Sequence, residues 1–374
     1  MDSEENLGER SKCRKMDRDI NNLCMRFCPE GVSYIPLGEA TEMQRGTSIT
    51  KKNIIEGTVP VIAGGQKPAY YCDKANRDAD IITVAGSGAY AGYVSYWDCP
   101  VFVSDAFSVK AKEGSSTKYI YYAMQNLQSE IYATKKGGGV PHVHISSIEK
   151  MRIPLPPLPI QQEIVRILDT FTNLTAELTA ELTARRKQYE YYRDELLTFG
   201  EDVSRVQLGL VCDFKYGKGN NIPNETGEYP VYGCNGIVST TNTFNSEDAP
   251  IIGHIGSAGV VNWGKGKHFV TYNGTICRVK ADKIRSRYAY YVLNSLHLER
   301  FVKGSQPFLS YGDFSKVLIP LPPIERQDEI VRILDQFDYF CNDLTSGIPA
   351  EISARQKQYE YYRNQLLTFN QIGG

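Results

Sequence analysis

The residues whose types and spacing could do covalent or metal chemistry are few in this chain. Nine cysteines are scattered without a CxxC pair, and only Cys24 and Cys28 stand close enough to form half of a thiolate site. A structural zinc needs four ligands, and no second pair answers these two, so free and mostly buried thiols are expected. His142 and His144 form an HxH with no further ligand. Alternation would place both on one strand face or in a loop, where DNA contact or plain exposure fits better than metal. Residues 259–266 (GVVNWGKG) nearly spell a phosphate loop, but Gly266 stands where a Ser or Thr must hold magnesium. The counterpart near Gly92 carries no Gly-Lys, so a β-turn is the better reading. There is no NPPF- or DPPY-like adenine-methylating motif, no Gly-rich cofactor loop after a strand, and no nuclease-type carboxylate cluster. A non-catalytic chain is expected, with no metal and no cofactor of its own.

The remaining chemistry is recognition. Reading DNA takes donors and acceptors on loops, and cations for phosphates. Residues 44–52 offer Arg45, Ser48, Thr50, Lys51 and Lys52; residues 215–221 offer Lys215, Tyr216, Lys218 and Asn220. A second pair of loops sets Gln66 and Lys67 against Asn235. A third sets Lys135, Lys136, His142 and His144 against Lys303, Ser305 and Gln306. A solvated surface loop would also look like this at any single position; the signal is that equivalent loops carry it twice. The net charge of −1 excludes binding by bulk positive charge, so the cations must be clustered or supplied partly by partner subunits.

The elements that position these loops are duplicated. Residues 154–169 (PLPPLPIQQEIVRILD) and 320–335 (PLPPIERQDEIVRILD) agree at twelve of sixteen positions, and KQYEYYR at 187–193 returns unchanged at 357–363. Each copy then runs to LLTF. The unit is about 170 residues, too long for a solenoid repeat, so it is a domain plus a helix, duplicated. Upstream, SYIPLG (33–38) matches SRVQLG (204–209), Val59-Pro60-Val61 matches Tyr229-Pro230-Val231, and Ala85-Gly86-Ser87 is set against Ile255-Gly256-Ser257. The helical parts stayed alike while the globular parts diverged, as expected if the helices share a task and the domains read different things. Strands are predicted at 81–84, 101–109, 249–252 and 269–279, short helices near 118–132 and 286–302, and last strands at 151–153 and 317–319 before each PLPP.

Past the prolines, apolar residues step by three and four through Ile164, Ile167, Phe171, Leu174, Leu178, Leu182, Tyr189, Tyr192 and Leu196. The second copy gives Ile330, Ile333, Phe337, Phe340, Leu344, Ile352, Tyr359, Tyr362 and Leu366. This is a coiled-coil seam, roughly 55–60 Å long at 1.5 Å per residue, and two such helices would pack most simply antiparallel. Tyr191, Arg193, Tyr361 and Arg363 fall off the seam, a polar-aromatic patch present twice that suggests a protein partner docking twice. From Asp169 to Ala184 is 15 positions, from Asp335 to Ala354 is 19. The first copy carries the tetrads TAELTAEL there, which would set the distance between the domains. The second carries Ser346-Gly347-Ile348-Pro349, where a kink or break is expected.

With these residues assembled, the chain from Cys28 to Phe369 resembles the specificity subunit of type I restriction–modification enzymes. The resemblance rests on CPEGVSYIPLGE (28–39), the two PLPP-x3-Q-x-EIVRILD segments, the TAEL tetrads and the two KQYEYYR segments. It implies two α/β target recognition domains in tandem, each followed by a long helix, the helices pairing antiparallel with pseudo-two-fold symmetry. It also implies a split, asymmetric double-stranded DNA site, with tetrad number tuning the gap between half-sites. Two methylation subunits would dock on the helices and restriction subunits join through them, so S-adenosylmethionine, ATP and magnesium would be used by those partners. The expected boundaries are a leader at 1–27, partly disordered or helical, a recognition domain at 28–157, a spacer helix at 158–199, a second domain at 200–323, a second helix at 324–370 and a tail at 371–374. A reading of another class is a helical scaffold whose globular halves bind no DNA. No apolar run approaches the roughly 18 residues of a membrane span and the N-terminus lacks an apolar signal core, so the expected compartment is the cytoplasm.

Overall fold

The computed structural model describes residues 22–49, 55–219, 226–280, 282–342 and 347–372. Thr50, Lys51, Lys52, Asn220, Leu344, most of the leader and the last two tail residues lie outside them; residues 22–27 are helical. The chain forms two compact units, one from the residues up to Glu177 together with those from Ser353 onward, the other from Leu178–Ile352. Each is mixed α/β and contains one globular domain, the start of one long helical segment and the end of the other.

In the first unit β1 (Tyr34–Pro36) pairs with β9 (Arg152–Pro154), tying the domain's entry to its exit. A four-stranded sheet has the order β2 (Thr41–Arg45), β8 (Ala106–Ala111), β5 (Ile81–Ala85), β6 (Val94–Trp97). β5 reads IITVA because both its faces are covered, and all five residues are buried. A smaller sheet joins β4 (Tyr70–Cys72), β3 (Val59–Ile62) and β7 (Phe102–Val103), β3 running parallel to β7.

The second unit repeats the frame: β10 (Arg205–Gln207) pairs with β17 (Leu318–Pro320). Here one six-stranded sheet has the order β11 (Cys212–Tyr216), β16 (Gly274–Val279), β14 (Ser246–Gly253), β15 (Val261–Val270), β12 (Tyr229–Gly233), β13 (Gly236–Thr241). Ten-residue β15 does the work that β6 and β7 share in the first unit, since it pairs antiparallel with β14 and parallel with β12. The GVVNWGKG run is therefore strand from Val261 onward, not a turn. The predicted strand at 269–279 is two strands about a turn at 271–273, and 101–109 is likewise broken at Ser104-Asp105. The ladders also correct one sequence match. Ala85 pairs with Ala106 as Gly253 pairs with Gly274, so Gly86 corresponds to His254 and Gly88 to Gly256, two residues away from the AGS/IGS alignment.

A helix follows each sheet, Thr117–Asn126 and Ser286–Ser295, continued in the first unit by Gln128–Ala133 and in the second by a 3₁₀ turn at Leu298–Phe301. These helices attach each domain to the conserved segment through the same bonds. Gln161 and Gln327, the glutamines of PLPP-x3-Q, are fully buried. Gln161 accepts from the Ser116 amide at 2.9 Å and donates to the Pro156 carbonyl; Gln327 accepts from Arg285 at 2.9 Å and donates to Pro322. The Tyr122 and Tyr291 hydroxyls each donate at 2.5 Å to the closing aspartate of EIVRILD, Asp169 and Asp335. Those of Tyr119 and Tyr288 reach the carbonyls of Pro154 and Pro320.

Leu158–Leu196 is one unbroken helix of 39 residues, about 58 Å at 1.5 Å per residue. Its threonines fold their hydroxyls back onto the carbonyl four residues earlier, Thr175 to Phe171 and Thr183 to Thr179, both at 2.9 Å. This satisfies the hydroxyls within the helix itself. The second copy is two helices of 19 residues each, Ile324–Asn342 and Ile348–Leu366, with Gly347 and Pro349 at the boundary. Pro349 lies in the first turn of its helix, where no amide is needed. The start of one helical segment meets the end of the other in each unit: Phe171 stacks on Tyr362 at 5.3 Å in the first, Tyr192 on Phe337 at 5.4 Å in the second. The buried stripe is wider than the predicted seam near the domains, where Leu168 and Leu334 are fully buried beside Ile164 and Ile330. Phe340, assigned to the seam, is exposed, whereas Tyr192 keeps its place there, stacked on Phe337 while partly open to solvent.

Where the chain runs continuously from LLTF (196–199) into β10 in the second unit, the first unit makes the same junction without a covalent link. Val32 donates to the Asn370 carbonyl at 2.8 Å and bridges Gln371, and the Tyr34 hydroxyl meets Phe369.

Candidate nucleic-acid interface

The second and third predicted loops converge in each unit on the turn that follows the central strand, β5 or β14, and the first rests on the adjoining turn after β7 or β15, which is bonded to it through Gly86–Asp105 or His254–Asn273. In the first unit β2 ends at exposed Arg45, and Gly46 crosses onto the turn after β7. Its amide donates to Ala106 and that of Thr47 to Val103. A Cβ on Gly46 would stand 2.2 Å from the Ser104 carbonyl oxygen, so no other residue fits. Gly217 repeats this approach, with a Cβ 2.1 Å from the Thr271 carbonyl oxygen and the Lys218 amide donating to Val270. The second loop rests on the turn after β5 or β14, since Gly64 packs on the Ser87 carbonyl and Cys234 on Gly253. In the third, Lys136 and His142 exchange backbone bonds, His142 bridges Ser87, and the Val143 amide donates to Gly86. Lys303 and Phe308 do the same, with Phe308 bridging Ile255 and Leu309 donating to His254.

Arg45, Ser48, Gln66, Lys67, Lys136, His142 and His144 are exposed on the first unit, as are Lys215, Lys218, Asn235, Lys303, Ser305 and Gln306 on the second. The His142 and His144 rings lie parallel, 6.1 Å apart. Three side chains are engaged already. The Lys135 ammonium folds over the Tyr132 ring and onto the Ala89 carbonyl, and that of Lys303 pairs with Asp313 at 2.5 Å. Tyr216 is half-buried against the rings of His254, Tyr272 and Tyr311.

Several participants escaped the sequence reading. Asn76 and Asn245 use their amides as a rung of sheet. Each donates to, and accepts from, the backbone of Val103 or Val270, at 2.7–2.9 Å. Aligning outward from the central strand could have found them, allowing one residue of slippage. Asp105 stands exposed among the first unit's cations, its carboxylate accepting from the Ser87 hydroxyl. Tyr272, Phe308 and Tyr311 are exposed aromatics around buried His254. Burial lowers the pKa of His254 and of buried His268, and so keeps both neutral at neutral pH.

On the helices Tyr191 and Tyr361 are more than half exposed, but Arg193 is buried at 9%. Arg193 lies over the Tyr189 ring and pairs with Asp194, and Arg363 is half-buried over Tyr359. A cleft of about 890 Å³ in the second unit is lined by Tyr189, Trp263, Arg287, Tyr290, Asp335 and Asp338 among others. No group of three His, Cys, Asp or Glu able to hold a metal occurs among the described residues. Burial, with Cys28 alongside, pushes the Cys24 thiol up to about 11, away from a ready thiolate ligand. No helix among the described residues is long and apolar enough to cross a membrane.

The type I restriction modification DNA specificity domain matches this chain twice, over residues 29–185 and 200–354. A type I restriction enzyme specificity subunit of Escherichia coli is 30% identical over 90% of this chain and 94% of its own length. A putative one of Haemophilus influenzae is 27% identical over 91% and 96%. The crystal structure of a type I restriction–modification S subunit from M. genitalium shares the fold, with a TM-score of 0.67 at 22% identity over 90% of this chain and 96% of the other. Two copies of one domain model, matching a chain whose own two halves share a frame, place it plainly: it belongs to the family of type I restriction–modification specificity subunits.

Proposed function

We propose that the chain reads a bipartite, asymmetric site on double-stranded DNA, each globular domain contacting one half-site through its three convergent loops. The observation that supports this most is the convergence itself. Loops picked from sequence as basic and polar in both copies gather, in each unit, around two adjoining turns. Arg45, Lys67 and Lys136, or Lys215 and Lys218, would hold phosphates. Ser48, Gln66, His142 and His144, or Asn235, Ser305 and Gln306, would meet base edges. Thr50, Lys51, Lys52 and Asn220 belong to the same proposal. Lys135, Lys303 and Tyr216 would first have to leave the partners they now hold.

The long helices would set the half-site gap and dock two methylation subunits, with Tyr191 and Tyr361 as the exposed anchors and Arg193 and Arg363 supporting them. Restriction subunits would join through the methylation subunits, and methyl transfer and ATP-driven cleavage would be carried out there with S-adenosylmethionine, ATP and magnesium. A cytoplasmic location is part of this reading. So are the domain limits 28–157 and 200–323 and the helices 158–199 and 324–370.

The test is selection from a random DNA pool by the full chain assembled with its methylation subunit. A split motif is expected; no sequence preference would leave the scaffold reading standing. Replacing residues 35–153 by another such domain should change one half-site only. Deleting one TAEL tetrad, about 6 Å of helix, should change the gap and neither half-site.

A further inference from the structure

The loops that converge in the first unit carry Arg45, Lys67, Lys135 and Lys136, and one of the turns they rest on carries an exposed carboxylate, that of Asp105. An exposed carboxylate on a surface that meets phosphates weakens binding to every DNA alike, so its presence calls for a compensating role. Its setting is well defined. Asp105 sits in the two-residue turn between β7 and β8. The Ser104 amide donates to Ile62, and the Asp105 carbonyl accepts from Gly86 at 3.1 Å. Its Oδ2 accepts from the Ser87 hydroxyl. The donating hydroxyl keeps lone pairs outward, and Oδ1 faces Gly86, where a Cβ would already stand 3.4 Å away. Glycine at 86 leaves that oxygen open, whereas the second unit has the His254 ring at this place. Two acceptors thus stand side by side at the centre of the converging loops, between Gly64 and His142, with donors around them.

We propose that Ser87 and Asp105 form an acceptor pair that selects a base bearing an exocyclic amine, adenine N6 or cytosine N4, at one position of the first unit's half-site. The proposal rests on the reading of this unit as a DNA reader. In the major groove only those two bases present a donor, and a carboxylate is the side chain that accepts from it while repelling the keto oxygens of guanine and thymine. Selectivity, not affinity, is what this pair contributes.

The experiment compares wild type, Asp105→Asn, Asp105→Ala and Ser87→Ala, each as the full chain assembled with its methylation subunit and selected on the same random pool. Loss of the acceptor should relax one position of one half-site by about 5- to 150-fold, the 1–3 kcal/mol of a good base contact. The other half-site should not change. Binding of Asp105→Asn to unrelated DNA should rise, because a phosphate-repelling charge is gone. A turn staple without contact to bases would behave otherwise, lowering the melting temperature of all three variants and leaving the motif intact; that result overturns the inference and spares the proposed function. A wild-type complex that selects no motif removes both.

Discussion

Around the convergent turns the first unit presents Arg45, Gly86, Asp105 and His142, whereas the ladders of the second put Tyr216, His254, Asn273 and Phe308 at the corresponding places, with exposed Tyr272 beside Asn273. One rim is charged and hydrogen-bonding, the other largely aromatic. Beneath it the two units are bonded alike, through backbone ladders, the asparagine rungs of Asn76 and Asn245, the buried glutamines and the tyrosine–aspartate bonds. Such a frame uses main-chain groups and a few side chains that point inward, so the outward ones are free to change. That is the physical basis on which two unlike readers can share one mount.

The mount is not quite uniform, and this gives the largest predicted effect. Arg287 pairs with Asp335 at 2.6 Å and Asp338 at 2.5 Å, and lies 4.7–5.1 Å from the rings of Trp263, Tyr290 and Tyr291. Arg287→Ala should destabilise the second unit by about 3 kcal/mol, since it takes the shared cation from Asp335 and Asp338 and its packing from three rings. Lys118 holds the matching place with one carboxylate partner, Asp169, and one ring, that of Tyr96, and is about a third exposed. Lys118→Ala should cost no more than about 1 kcal/mol. Each unit has one tryptophan, Trp97 or Trp263, so fluorescence-monitored unfolding of Trp97→Phe and Trp263→Phe backgrounds can assign the losses; the Trp97→Phe background is the one in which to measure Arg287→Ala.

Gln161→Leu and Gln327→Leu should cost alike, about 1–3 kcal/mol each, the penalty of an unpaired buried amide. Equal losses would sharpen the idea of a common mount, and strongly unequal ones would break it.

At the rim, Tyr272→Ser with Phe308→Ser should weaken DNA binding without changing its salt dependence, because aromatic contacts release no counterions. Lys67→Ala and Lys136→Ala should each lower the salt slope by about one. Binding isotherms at several ionic strengths separate the two kinds of rim.

The smallest expected effect is a pH difference. His254 and His268 are buried and neutral, their folded pKa values below the ordinary 6.5. The stability they confer is present above pH 6.5 and is lost as the pH falls below it, because the unfolded state takes up the protons first. His142 and His144 are exposed. Acidification from pH 7.5 to 5.5 should therefore lower the Trp263 transition more than the Trp97 transition. Equal shifts would show that the buried histidines are not what separates the units at low pH.

Much was legible in sequence. The duplication, the last strands before PLPP, the long helix and the break at Gly347-Ile348-Pro349 all follow from local periodicity and from proline and glycine chemistry. The loops were legible because Gly46 and Gly217 occur at matching places, and the structure gives the reason: a carbonyl oxygen occupies the space of their Cβ. The AGS/IGS match failed because short Gly-Ser runs align by composition, whereas the ladder counts residues. Asp105 was missed because an isolated acid next to a strand carries no pattern.

The sequence by itself determined the repeat, the type of each major element and which segments would stay alike, since these depend on propensity and on spacing along the chain. Only the tertiary structure decided which part of each long helix serves which domain, that Phe340 faces outward while Arg193 is buried, and that one unit's rim is polar and the other's largely aromatic. Those outcomes depend on which surfaces, remote in sequence, come into contact, and a seam of threes and fours cannot specify what lies beyond it.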